Sequence, residues 1–132
     1  MKKTLIQISI TTLTLFFYSC SVGYEVDKTF TPLKTYPCDT IPENVELFFE
    51  GETTDFEYEK IGLIEIMGKY SSTDAEMIEE VKSIAKKKCC NAVIFIKKNY
   101  VEREKSVLFS SAPVEKYTTI VYNGIAVRKI NR

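Results

Sequence analysis

Between Thr73 and Lys88 the apolar positions recur at helical spacing. Ala75, Met77, Ile78, Val81, Ile84 and Ala85 fall within about half of a helical wheel, and Glu76, Glu79, Glu80, Ser83 and Lys87 lie opposite. Thr73 followed three residues later by Glu76 is a capping-box signature. Acids crowd the start (Asp74, Glu76, Glu79, Glu80) and lysines the end (Lys86, Lys87, Lys88), in the sense that suits the helix dipole. The pattern predicts one amphipathic helix. Around it stand runs rich in β-branched and aromatic residues: Val45–Phe49, Tyr58–Met67, Ala92–Ile96 continuing to Tyr100, and Tyr117–Ile130. Gly51–Asp55 reads as a turn, and Gly68 stops the second run. The predicted order is β-β-α-β-β, an α+β fold in which a small antiparallel sheet carries one helix on one face. Ile78, Val81 and Ala85 are expected to face the sheet, meeting Ile64, Ile66, Val93 or Phe95. Asn123-Gly124 inside the last run is a hairpin signal. Glu102–Glu115, polar apart from Val107, Leu108 and Phe109, is either a loop or the extension of a long hairpin.

The sheet pattern raises a question about its second face. In Ile61–Met67 and Ala92–Ile96 both alternating faces are apolar, and one helix covers only one of them. The other must be covered by Glu102–Glu115, by the N-terminal segment, or by a second molecule. A tyrosine surface at Tyr100, Tyr117 and Tyr122 is a candidate interaction site, although aromatics at strand positions are more often ordinary sheet residues.

The N-terminus has a different pattern. Lys2 and Lys3 precede Thr4–Tyr18, which has no charge, and a small residue, Ser19, then stands before Cys20. This is the shape of a secretory signal. The segment resembles the lipobox of bacterial lipoproteins, in which the cysteine becomes the lipidated first residue. Ser19 fits that pattern, whereas Phe17 stands where Leu is usual. The resemblance implies a signal peptide over residues 1–19 and acylation of Cys20, with palmitate among the expected chains. A plain signal peptide cleaved nearby and a retained membrane anchor are the alternatives; the segment is shorter than the ~20 strongly apolar residues that span a bilayer easily. Ser21–Asn44, with Pro32, Pro37 and Pro42 and little periodicity, reads as a tether. The expected organisation is a signal peptide over 1–19, a lipidated tether over 20–44 and an α+β domain over 45–132.

Charge and composition narrow the function classes. Removing residues 1–19 takes away Lys2 and Lys3 and no acid, leaving 16 basic and 18 acidic side chains and a formal charge of −2. Nucleic acid is not an expected partner, because phosphate binding needs a basic stripe. There is no histidine and no tryptophan. Ser-His and Cys-His catalytic pairs and histidine-containing zinc sites are therefore excluded. No Gly-rich phosphate loop and no CxxC is present. The expectation is a protein that is not an enzyme and has no catalytic residues, no cofactor and no metal centre.

Cys38, Cys89 and Cys90 remain after Cys20. An exported chain meets an oxidising compartment, and an odd number leaves one thiol over. Cys38 paired with Cys89 or with Cys90 closes a loop of about 50 residues, worth ~4 kcal/mol on chain entropy. A three-thiolate metal site matches no standard spacing.

The runs IGLIEI (Ile61–Ile66), NAVIFI (Asn91–Ile96) after the helix, and NGIAVR (Asn123–Arg128) resemble a small bacterial domain. It is shared by the YbjQ-like family, which carries a heavy-metal-binding label, and the RcsF-like stress-sensing lipoproteins. The resemblance covers about Val45–Ile130 and implies a small antiparallel sheet with one helix. It places Asn123-Gly124 within a strand, Gly124 marking a bulge or a close backbone approach. It ends the helix near Lys88, sets Cys89 where a helix-ending glycine is common and Cys90 at a small buried site. Extending the helical wheel instead puts Cys89 inward and Cys90 outward; the resemblance makes Cys89 the more exposed thiol and the preferred partner of Cys38, with Cys90 second. The strand-end cysteines of the stress-sensing relatives are missing, and no metal ligand maps onto this chain.

Two functions follow as expectations. The first is a lipid-anchored envelope protein, in the outer membrane facing the periplasm since no acidic run follows Cys20, acting as a non-enzymatic binding, structural or sensor module. Its partners would be the membrane, through the lipid on Cys20, and another envelope protein or a second copy through the second sheet face. The alternative is a small-ligand or metal-binding protein using Cys38, Cys89 and Cys90 or a pocket on the sheet face.

Overall fold

A computed structural model describes residues 21–22, 24–107 and 111–130. The segment read as a signal peptide, Cys20, Leu108 and Phe109 lie outside the described residues. The chain is an α+β fold with elements β1 (Ser21–Val22), β2 (Asp27–Pro32), β3 (Glu46–Phe49), β4 (Tyr58–Met67), α1 (Asp74–Lys87), β5 (Ala92–Val107) and β6 (Glu115–Lys129). The sheet is six-stranded, in the order β1-β5-β6-β4-β2, with β3 also paired to β5. It is mostly antiparallel; only β3 runs parallel to its neighbour.

Two corrections to the expected order follow. The described part of the segment read as a tether is not a free linker: β2 adds to the edge of the sheet, with Phe30 opposite Ile64. The sequence DKTFTP carries only Thr and Phe as strand formers, and its proline is tolerated because an edge strand has one unpaired side. Lys28 ties this edge to the helix through Glu80 at 2.7 Å. The sheet is also not a simple antiparallel one. After β2 the chain crosses the C-terminal end of α1, where Tyr36 packs against the core, and enters β3 alongside β5. Glu102–Glu115 resolves largely as hairpin, with β5 and β6 paired out to Lys105 opposite Glu115. Cross-strand pairs between Lys105 and Glu115 and between Lys116 and Glu102 offset the polarity of that stretch.

Helix α1 has the expected capping box: Glu76 N–H donates to Thr73 Oγ1 at 3.3 Å, and Thr73 N–H donates to Glu76 Oε2 at 3.0 Å. Met77, Val81 and Ala85 form its fully buried line, and Ile78 and Ile84 pack half-buried beside it. Ala75, expected inward, is exposed because it precedes the first turn that meets the sheet. The buried line packs on Ile64, Ile66, Val93, Ile96, Tyr122 and Ala126.

Phe95 does not join this core. Between Ile94 and Lys97 the β5–β6 register shifts, and Phe95 takes φ 52°. The bulge holds Val93 and Ile96 on the helix side and leaves Phe95 51% exposed. Gly124 lies inside β6, opposite Ile64. On the second face Ala92, Ile94 and Val127 are covered by Phe48, Phe56 and Tyr58, which flank the turn after β3. These rings meet edge-on, with centroids 5.3 and 6.0 Å apart. Among the described residues, neither Glu102–Glu115 nor the N-terminal segment covers this part of the face.

Candidate functional site

Beyond those rings the second face stays open. Leu63 and Ile125 stand opposite each other across β4 and β6, as do Glu65 and Asn123. The bulge brings Phe95 beside them. The result is a groove of about 410 Å³ with Leu63, Phe95 and Ile125 as its apolar lining and Thr31, Glu65 and Lys97 among its polar edges. An apolar centre with a polar rim is the usual anatomy of a binding surface.

The backbone at Phe95 sets this arrangement. A left-handed conformation costs a non-glycine residue roughly 1–2 kcal/mol, and Phe95 offsets little of that by burial. The residue could not be singled out from the sequence, since AVIFI reads as an unbroken buried strand. The available signal was Gly124, whose missing side chain admits the bulge. A Cβ there would lie 2.7 Å from Val93 Cγ1 and 3.3 Å from Ile96 Cγ1.

The cysteines occupy the opposite side, at the end of the helix. Cys89 N–H donates to the Lys86 carbonyl at 3.0 Å and Cys90 N–H to the Ala85 carbonyl at 2.9 Å. With Cys89 at φ 56° this is a Schellman ending in which cysteine occupies the place that glycine favours. Cys38 and Cys89 are joined as a disulfide with Cα atoms 5.5 Å apart, spanning 51 residues. Cys90 is a free thiol, fully buried, and burial pushes it up to about 11. Cys89 is itself only 4% exposed, so the expected contrast in exposure between the neighbours is slight. The bridge takes two of the three thiols considered for a metal site, and among the described residues no cluster of three Cys, Asp or Glu side chains is placed to hold an ion.

A third cluster joins helix and sheet. Tyr122 donates to Asp74 Oδ1 and Lys98 to Asp74 Oδ2, both at 2.8 Å. The hydrogen bonds from Lys98 and then Tyr122 hold the Asp74 carboxyl below its ordinary value. Desolvation, followed by the bond to Asp74, pushes Tyr122 up to about 12. The same carboxylate raises Lys98. Each shift moves its group away from neutrality, so the cluster fastens the start of α1 to β6 and is poorly suited to proton transfer at pH 7. It also separates the expected tyrosine surface: Tyr122 is buried, Tyr117 half-buried and Tyr100 exposed. Tyr100 and Tyr117 fall on opposite faces, since Tyr117 stands opposite Arg103 and Tyr100 opposite Ile120.

Among the described residues no helix is long and apolar enough to cross a membrane. No protein-family model matches the chain, and neither a curated protein nor a solved structure does.

Proposed function

We propose that the protein is a lipid-anchored protein of the bacterial envelope, in the outer membrane and facing the periplasm. Its domain is a non-enzymatic binding module whose working face is the groove beside Phe95. The single observation behind the binding role is Phe95 itself, a large aromatic more than half exposed at φ 52°. Strain of this kind persists where the surrounding structure enforces it, and it clusters at binding sites. The anchor rests on the sequence around Cys20, and the Cys38–Cys89 bridge accords with an oxidising compartment. The absence of histidine and the outward shifts at Asp74, Lys98 and Tyr122 support a role without catalysis. Kinship with the YbjQ-like and RcsF-like domains is part of the same proposal, supported by a single helix packed on a mostly antiparallel sheet.

The occupant of the groove is another envelope protein. The apolar centre is small, and its rim offers both signs of charge through Glu65 and Lys97, which suits a mixed protein surface better than a lipid.

The anchor is tested by labelled palmitate: the wild-type chain should incorporate it and sediment with membranes, and Cys20→Ala should do neither. Membrane retention of Cys20→Ala would replace the lipid with a retained helix. The working face is tested by a photo-reactive residue at position 95 in cells, with position 79 on the exposed side of α1 as control. A heterologous adduct from 95 that Leu63→Asp abolishes, with none from 79, supports the reading. An adduct between two copies makes the face a self-association surface instead.

A further inference from the structure

The point at which the chain leaves the fold toward Cys20 is defined by backbone pairing. Strand β1 runs antiparallel to the end of β5, with Ser21 opposite Val107 and Val22 opposite Ser106. Cys20 immediately precedes Ser21. One residue extends at most ~3.6 Å, so an acyl group attached at Cys20 would start within one residue's reach of Ser21, where β1 pairs with the end of β5. The opposite end of the domain, at Ile130 and the Cys38–Cys89 bridge, is fifteen residues away along β6, or ~50 Å of extended strand.

The surface at the hairpin end has the chemistry of a membrane–water boundary. Tyr24, Tyr70 and Tyr117 stack edge to face, with centroids 6.0 and 6.3 Å apart. Lys105 Nζ lies 4.5 Å above the Tyr70 ring. Tyr70 is 52% exposed and Val114 55% exposed. Tyrosine carries an apolar ring and a polar tip, and lysine an apolar stem and a charged head. Both are residues that settle at the headgroup layer.

We infer that this end of the domain rests in the headgroup layer of the bilayer that holds the Cys20 lipid, with Tyr24, Tyr70 and Val114 in contact with phospholipid. The inference rests on the lipid-anchor reading and adds an orientation to it. The hairpin end faces the membrane, and the disulfide end points into the periplasm. A second envelope protein is a weaker occupant for this surface, because the lipid attachment already brings the bilayer to it.

The chain has no tryptophan, so single substitutions report position without background. Full-length Tyr70→Trp and Ile130→Trp are expressed in cells, purified in mature form and reconstituted into phosphatidylethanolamine–phosphatidylglycerol vesicles. Part of the phospholipid is brominated near the headgroup. The expected result is several-fold stronger quenching at 70 than at 130, and Val114→Trp reads the same end should Tyr70→Trp fail to fold. Intact mass reports acylation independently. A protein without acyl mass overturns the anchor reading and this inference together. An acylated protein quenched equally at 70 and 130 overturns the orientation alone. So does a Trp at 70 that is shielded from aqueous iodide yet unquenched by bromolipid, an outcome that gives the surface to a second copy of this chain.

Discussion

Val93 and Gly124 are in closer contact than any side chain at position 124 would allow: a Cβ there would stand 2.7 Å from Val93 Cγ1. The glycine lets the bulged strand β5 fold its Val93 and Ile96 side chains onto β6, and the bulge in turn expels Phe95. Gly124→Ala should therefore overpack the core and destabilise the domain by ~1–3 kcal/mol, read as a lower urea midpoint. Val93→Ala should relieve the clash. In a double-mutant cycle the pair should cost less than the sum of the single changes, and strict additivity would show that the two residues do not press on each other.

The Cys38–Cys89 bridge fastens the segment after β2 to the end of the helix. Its 51-residue span gives a chain-entropy contribution of ~4 kcal/mol, with ~2–4 kcal/mol the usual yield. Cys38→Ser should lower stability by about that yield, and reductant should bring the wild type to the same level. Alkylation under native, non-reducing conditions should leave Cys90 unmodified, because its side chain is fully buried. Modification of Cys90 in the folded protein would mean that the helix end opens.

The helix and the four strands around it were legible because their periodicity is local. Met77, Val81 and Ala85 repeat at a spacing that only one helix face satisfies. The edge strand β2 was not legible: DKTFTP lacks alternation, and it becomes a strand only because β4 offers an unpaired edge. The parallel pairing of β3 with β5 depends on a crossover that no short window records. The groove was beyond reach for a related reason. Phe95 sits in an apolar run whose alternation predicts burial, and the register shift that exposes it arises from packing against Gly124 on another strand. For the cysteines, the helical wheel alone turns Cys90 outward and Cys89 inward, and only the family resemblance points to Cys89 as the partner of Cys38. The left-handed backbone at Cys89 turns one side chain toward Cys38 and the next into the core.

Cys90 and Asp74 each contribute to the pH dependence of stability. The Cys90 thiol rises from an ordinary 9.0 to about 11 in the folded state. Its stabilising effect is complete below pH 9 and is lost as the pH climbs through 11, a total of ~3 kcal/mol. Asp74 shifts the other way, below its ordinary 3.8. Its contribution is present above that value and disappears as the pH falls through the lower folded value. Denaturant melts across pH should show Cys90→Ala flattening the alkaline limb and Asp74→Asn flattening the acid limb. Unchanged slopes in either variant would mean that the group does not titrate between the folded and unfolded states.

Phe95 offers the sharpest separation of stability from function. Its backbone sits at φ 52°, where glycine is at ease, and its ring is 51% exposed. A residue kept there for folding should be missed when removed. A residue kept there for binding should not be. Phe95→Gly removes the left-handed penalty of roughly 1–2 kcal/mol at the expense of a half-exposed ring. The thermal midpoint should therefore hold or rise by a few degrees, since ~1 kcal/mol is worth ~4–8 °C in a domain of this size. The cross-link formed from a neighbouring groove position such as Leu63 should be lost in the same variant. A clear fall in thermal midpoint would make Phe95 a packing residue, and the groove would lose its strongest claim to be a binding face.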